Sequence, residues 1–134
     1  VDKYERAPGV ENIDVVEVES AEPLDFILAI STIEHVGWDE PHKDPSKAPA
    51  ALARLRSLLH PERGRFLLTA PLGHNPGLDA WLLQGDHGAL CSEIYVRDHK
   101  DRWTSVDQPE PHQIRYHYDL RSAGCLWVGE FARD

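Results

Sequence analysis

Residues 24–36, with the sequence LDFILAISTIEHV, decide the expected fold class. The run Leu24–Ile33 is almost continuously apolar, with Glu22-Pro23 before it and Glu34-His35 after it. A short apolar run between such boundaries is typical of a strand that is buried on both faces of a parallel sheet. We therefore predict a buried strand here, with polar residues at its carboxyl end.

A helix and a second buried strand are predicted to follow. Leu52, Leu55 and Leu58 recur at helical spacing, which indicates a helix over Ala50–Leu59. The next apolar run, Arg65–Ala70 (RFLLTA), is bounded by a glycine and a proline and favours another strand. A strand, a helix and a strand joined by short connections indicate a parallel α/β sheet.

The flanking segments have weaker patterns. Two strands are expected near the carboxyl terminus, at Glu93–Arg97 and Cys125–Phe131. A short strand is expected near the start, at Val10–Val18, and one or two helical turns at Leu78–Leu83. Tyr116, Tyr118 and Leu120 fit the start of either a helix or a strand.

Length, net charge and cysteine content exclude several classes of protein. The chain has 134 residues, which suits one domain, and its net charge of -9 argues against a general nucleic-acid binder. No apolar run approaches the ~18 residues expected of a membrane span, so we expect no membrane partner. The two cysteines, Cys91 and Cys125, lack metal-like spacing, and such a count favours free thiols in a cytoplasmic protein.

The order of these motifs resembles class I S-adenosylmethionine-dependent methyltransferases. The resemblance runs from Val1 to about Phe131 and rests on Asp2, on Asn12 and Asp14, on LDFILAISTIEHV, on LLHPERGR at residues 58–65 and on TAPLG at residues 69–73. It implies one methyltransferase-like domain over residues 1–134. The implied fold is a partial Rossmann-like α/β sheet, mostly parallel, with a carboxyl-terminal antiparallel hairpin.

The same resemblance implies S-adenosyl-L-methionine as the cofactor and assigns residues to it. Asp2 would accept hydrogen bonds from the ribose hydroxyls, since two adjacent hydroxyls need a bidentate acceptor. Asp14 would meet the adenine amino group, and Ile13 would pack on the adenine ring. Ser31 and Thr32 would end a strand at the ligand-bearing edge of the sheet.

Glu34 and His35 would follow close to the methyl group. A base is needed only when the methyl acceptor is protonated, and His35 is then the first candidate, with Glu34 second and His74 third. Each residue also has a structural interpretation. Ser31 and Glu34 fit a helix capping box, and His35 fits a packing or hydrogen-bonding histidine.

One part of the family pattern is missing. A first strand and its glycine-rich turn should precede Asp2 by about 20 residues, by analogy with dinucleotide folds. Gly85 and Gly88 follow no predicted strand and are interpreted as a loop. Three explanations fit: a fragment of a longer product, a short form that pairs with another copy as a homodimer, or a degenerate relative without cofactor binding.

Two other functions compete with methyl transfer. The missing glycine loop favours a non-catalytic interaction module derived from the same fold. A cluster of Glu34, His35, Asp39 and His42 suggests a metal-dependent hydrolase, although no H-E-x-x-H motif is present, and we predict no metal site. The expected acceptor is a small, polar or sugar-like molecule, because the loops after the strands contain Trp38, Trp81 and Trp103.

Overall fold

The computed structural model describes residues 1–117 and 122–133. Two α-helices are present in this part of the chain, α1 (Lys47–Ser57) and α2 (Pro76–Leu83), with short 3₁₀ turns at Val15–Glu17 and Ile33–His35. The strands are β1 (Phe26–Ile30), β2 (Arg65–Pro71), β3 (Cys91–Arg97), β4 (Trp103–Val106), β5 (Tyr116–His117), β6 (Ser122–Ala123) and β7 (Cys125–Phe131).

Five of these strands form one mixed sheet in the order β1-β2-β7-β3-β4, and β5 pairs with β6 separately. Only β1 and β2 are parallel, whereas the β2–β7, β7–β3 and β3–β4 pairs are antiparallel. The prediction of a mostly parallel, Rossmann-like sheet is therefore wrong. An apolar strand such as β2 satisfies its backbone equally well beside a parallel and an antiparallel neighbour, so its composition did not reveal the direction of β7.

The core lies on the face of the sheet that packs against the helices. On this face Ala29, Phe66, Leu68 and Trp127 are buried, and α1 and α2 cover them with residues that include Ala48, Leu52, Leu55, Leu78 and Leu82. The register places Ala29 beside Leu68, so the parallel pair of β1 and β2 contributes neighbouring buried side chains to the core. This packing fixes the position of the segment that follows β1.

The opposite face of β1 is not buried. Phe26, Leu28 and Ile30 are 59%, 56% and 51% exposed, respectively. The prediction of a strand buried on both faces is thus wrong for β1. Its apolar run indicated burial, but both described helices pack on the same side of the sheet, and side chains that alternate along a strand then divide between core and surface.

Most of the other predicted elements are present with small shifts, whereas β4 and β6 lie in segments for which no strand is predicted. The strand Cys125–Phe131 is confirmed, whereas α1 begins three residues earlier than expected. The predicted strand over Val10–Val18 is wrong: Asp14 accepts a hydrogen bond from the Val16 N–H at 3.3 Å and caps a 3₁₀ turn. Tyr116 belongs to β5, and Tyr118 and Leu120 lie outside the described residues. Within the described chain, neither helix has the length and apolar character to cross a membrane.

Candidate functional site

A cavity of about 810 Å³ lies between the amino-terminal segment, β1 and α1. Its wall includes all five predicted cofactor residues and the first candidate base, namely Asp2, Ile13, Asp14, Ser31, Thr32 and His35. The structure thus brings these predicted residues together, although they come from three separate segments. We call this space the larger cavity.

Asp2 is held in a turn of the amino-terminal segment. Its Oδ1 accepts hydrogen bonds from the Tyr4 N–H at 2.8 Å and from the Glu5 N–H at 2.7 Å. These bonds, the one from Glu5 first, lower the pKa of the Asp2 carboxyl below its usual value. The cavity wall therefore includes a carboxylate that stays ionised at neutral pH.

Asp14 belongs to a network of two lysines and two carboxylates. Lys3 Nζ and Lys47 Nζ donate to Asp14 Oδ2 at 2.7 and 2.6 Å and to Glu40 Oε1 at 3.2 and 2.6 Å. Burial opposes ionisation of Asp14, but these hydrogen bonds outweigh it and lower its pKa to about 2. A ligand at Asp14 would share the carboxylate with these lysines, which sequence analysis missed because no local pattern links residues so far apart.

Ser31 and Thr32 turn the chain away from the end of β1. Ser31 has a φ of 48°, unusual for a residue other than glycine, and its N–H donates to the Thr69 carbonyl at 3.0 Å. Thr32 Oγ1 donates to the Ile30 carbonyl at 2.9 Å. The predicted capping box of Ser31 and Glu34 is wrong, because Thr32 occupies the cap position and its side chain makes no capping bond.

His35, Asp39 and His74 form a linked group, and the first two of these residues line the larger cavity. Asp39 Oδ2 lies 2.7 Å from His35 Nδ1, and Asp39 Oδ1 lies 2.9 Å from His74 Nε2. An ionised carboxylate only accepts, so both imidazoles donate to it. Burial opposes ionisation of Asp39, but these two bonds outweigh it and lower its pKa.

This group differs from the metal cluster considered for a hydrolase. The structure places His74, rather than His42, beside His35 and Asp39, with the three ligand atoms within 4.8 Å of one another. His74 comes from the loop after β2, so its proximity depends on the parallel pairing of β1 with β2. His74 is the third candidate base from the sequence. It contacts Asp39 and is only 5% exposed.

Glu34 occupies a different environment from His35. It is 1% exposed, and neither of its carboxylate oxygens has a hydrogen-bond partner among the described residues. Burial raises the pKa of Glu34 to about 7. Glu34 lines a second cavity of about 310 Å³ rather than the larger one, and Ser31 and His35 line both cavities.

Comparison with protein-family models, with curated proteins and with solved structures returned no significant match.

Proposed function

We propose that this chain binds S-adenosyl-L-methionine in the larger cavity and transfers its methyl group to a small-molecule acceptor. One observation supports the proposal above others. The residues that the motif order assigned to the cofactor are distant along the chain, yet Asp2, Ile13 and Asp14 lie in one cavity wall with Ser31 and Thr32. The proposal does not depend on a Rossmann-like sheet, which the strand order contradicts.

The chemistry of the cavity wall fits this cofactor. Carboxylates outnumber lysines in the cavity wall, where Lys3 is accompanied by Asp2, Glu5, Asp14, Asp39 and Glu40. This excess of negative charge favours a ligand with a positive charge such as a sulfonium. Ile27 and Ala29 of β1 add an apolar wall suited to a flat ring. The volume of about 810 Å³ lies in the ~300–1,000 Å³ range of small-molecule sites.

When bound, the cofactor supplies a methyl group that is already activated. The chain then has to hold the acceptor in line and remove a proton where the acceptor carries one. Asp39 accepts from His35 Nδ1, which orients the ring and leaves Nε2 as the nitrogen that can take a proton. Glu34 remains the second candidate, since a pKa of about 7 suits proton exchange near neutral pH.

Titration with S-adenosylhomocysteine by calorimetry tests the proposal. We expect micromolar binding by the wild-type chain and a loss of at least about tenfold in Asp2→Ala and in Asp14→Ala, as removal of a charge-assisted hydrogen bond would give. Asp86→Ala is the matched control, because Asp86 is exposed and lies outside the cavity wall. Absence of binding by a chain that is folded by circular dichroism would refute the proposal.

A non-catalytic interaction module is the second candidate function. The exposed apolar residues Phe26, Leu28 and Ile30 of β1 favour it, because contiguous apolar surface on a small domain often marks an interface. The same titration separates the two functions. A module of this kind would associate with a protein partner while leaving S-adenosylhomocysteine unbound.

A further inference from the structure

The second cavity has an unsatisfied acceptor built into its wall. The Glu34 carboxylate is 1% exposed and has no hydrogen-bond partner among the described residues, and His35 Nε2 lies 3.6 Å from its Oε1. Leaving such a group buried and unpaired destabilises the fold, because the desolvation of the carboxyl is not compensated. A ligand that donates hydrogen bonds to Glu34 from within the cavity would remove this destabilisation.

A cationic side chain and an aromatic ring, those of Arg97 and Trp103, line the same cavity. Arg97 Nη2 donates to Ser122 Oγ at 3.2 Å, and the Arg97 guanidinium lies 5.7 Å from the centre of the Trp103 ring. Trp103 is 44% exposed, which leaves part of its ring surface accessible. The cavity therefore combines a hydrogen-bond acceptor, a cationic donor and a flat aromatic surface.

These three features match a sugar ring. Its hydroxyls donate to a carboxylate and accept from a guanidinium, and its C–H face packs on an aromatic ring. A volume of about 310 Å³ lies at the lower end of the range for small-molecule sites. A protonated arylalkylamine would use the carboxylate and the ring but would be repelled by the Arg97 guanidinium.

The two cavities share part of their walls. Ser31 and His35 line both, and His35 Nε2 faces the Glu34 side, where it lies 3.6 Å from Glu34 Oε1. A hydroxyl held in the second cavity would therefore lie beside the candidate base and next to the larger cavity. We propose that the second cavity is the acceptor site and that it binds a monosaccharide unit through Glu34, Arg97 and Trp103, an inference that rests on the proposed function.

Indole N–H signals in ¹⁵N NMR spectra provide a direct test without any cofactor. The chain has four tryptophans, and the Trp103 signal is assigned by its loss in Trp103→Phe. We expect methyl α-D-glucopyranoside or methyl α-L-rhamnopyranoside to shift the Trp103 signal at millimolar concentration. At about pH 8, where the Glu34 carboxyl is largely ionised, Glu34→Gln should weaken this binding by about tenfold, because a charge-assisted hydrogen bond is replaced by a neutral one.

Matched variants and a competing ligand make the result decisive. Trp38→Ala should bind the glycosides as the wild type does, since Trp38 lies outside both cavity walls, whereas Trp103→Ala should lose binding. Substitution at the partly exposed Trp103 leaves the core intact. A Trp103 shift with phenethylamine alone, or with neither ligand class, would overturn the sugar assignment. The separate titration with S-adenosylhomocysteine shows whether the proposed function falls with it.

Discussion

At the scale of single residues, two buried carboxyl groups stand out. Burial raises the pKa of Glu34 to about 7 and that of Asp79 to about 6. Asp79 accepts a hydrogen bond from the Gly73 N–H at 2.8 Å, whereas Glu34 has no such bond from a described residue. Of these two carboxyl groups, Glu34 is therefore the one whose ionisation in the fold is not compensated by a hydrogen bond from a described residue.

The buried Glu34 carboxyl should make the stability of the fold depend on pH. The folded chain keeps the Glu34 proton up to about pH 7, whereas the unfolded chain releases it near 4.5, so stability from this group falls as the pH rises through that window. We expect Glu34→Gln to raise the free energy of unfolding at about pH 8 by up to about 3 kcal/mol. At about pH 4.5 the variant and the wild type should be nearly equal.

Urea denaturation at the two pH values measures this effect. Glu62→Gln is the matched control, because Glu62 is exposed and the same change should leave stability unaltered at both pH values. Equal stability of Glu34→Gln and wild type at the higher pH would show that the Glu34 carboxylate is not held at a cost.

At the scale of elements, Asn75 connects α2 to the turn that positions the site. It is fully buried, and its Oδ1 accepts from the Gly77 N–H at 3.1 Å and the Leu78 N–H at 3.2 Å, which caps α2. Its Nδ2 donates to the Glu34 carbonyl at 3.1 Å. We predict that Asn75→Ala lowers the free energy of unfolding by about 2–3 kcal/mol, through loss of the cap and of a buried hydrogen bond.

Asn12→Ala is the comparison for this variant. Asn12 also donates to two carbonyls, those of Asp2 and Glu5, but it is exposed, so water replaces its bonds and the expected loss is below about 1 kcal/mol. Chemical denaturation measures the loss in free energy of unfolding for both variants. Similar losses in the two would contradict a special role for the buried asparagine.

At the scale of the whole molecule, β1 is an edge strand with apolar residues on its exposed face. No described strand pairs with its outer edge, and Leu28 is 56% exposed. Such an edge favours pairing with another chain, and the expected homodimer therefore stays a prediction that can be tested at β1. We predict concentration-dependent association of the wild type and a mostly monomeric Leu28→Lys variant, because a charge would be buried on pairing.

Sedimentation analysis over a range of concentrations measures this association. Leu90→Lys is the matched control, since Leu90 is 58% exposed but lies outside β1, and it should associate as the wild type does. If Leu28→Lys and the wild type sediment alike, the edge of β1 is not the surface that associates.

Local patterns predicted individual elements better than their arrangement. The leucine spacing predicts α1 and the apolar run predicts β2, because helical and extended periodicities are properties of a short segment. The direction of β7 beside β2 was not, since it depends on how the chain returns from residues far away. In the same way, the sequence indicates both His35 and Glu34 as candidate bases, but it does not predict that Glu34 is buried while His35 is partly exposed.

From the sequence alone, α1, α2, β2, β3 and β7 are predictable as segments, and so are the polar residues that follow β1, whereas β4 and β6 are not. Periodicity, turn residues and side-chain chemistry are local, and they need no partner to be recognised. Long-range contacts, in contrast, establish that the sheet is mostly antiparallel, that one face of β1 is open and that His74 contacts Asp39. They also place Glu34 and His35 in the walls of two adjoining cavities. These features depend on contacts between segments distant in the chain, which packing selects and local pattern does not encode.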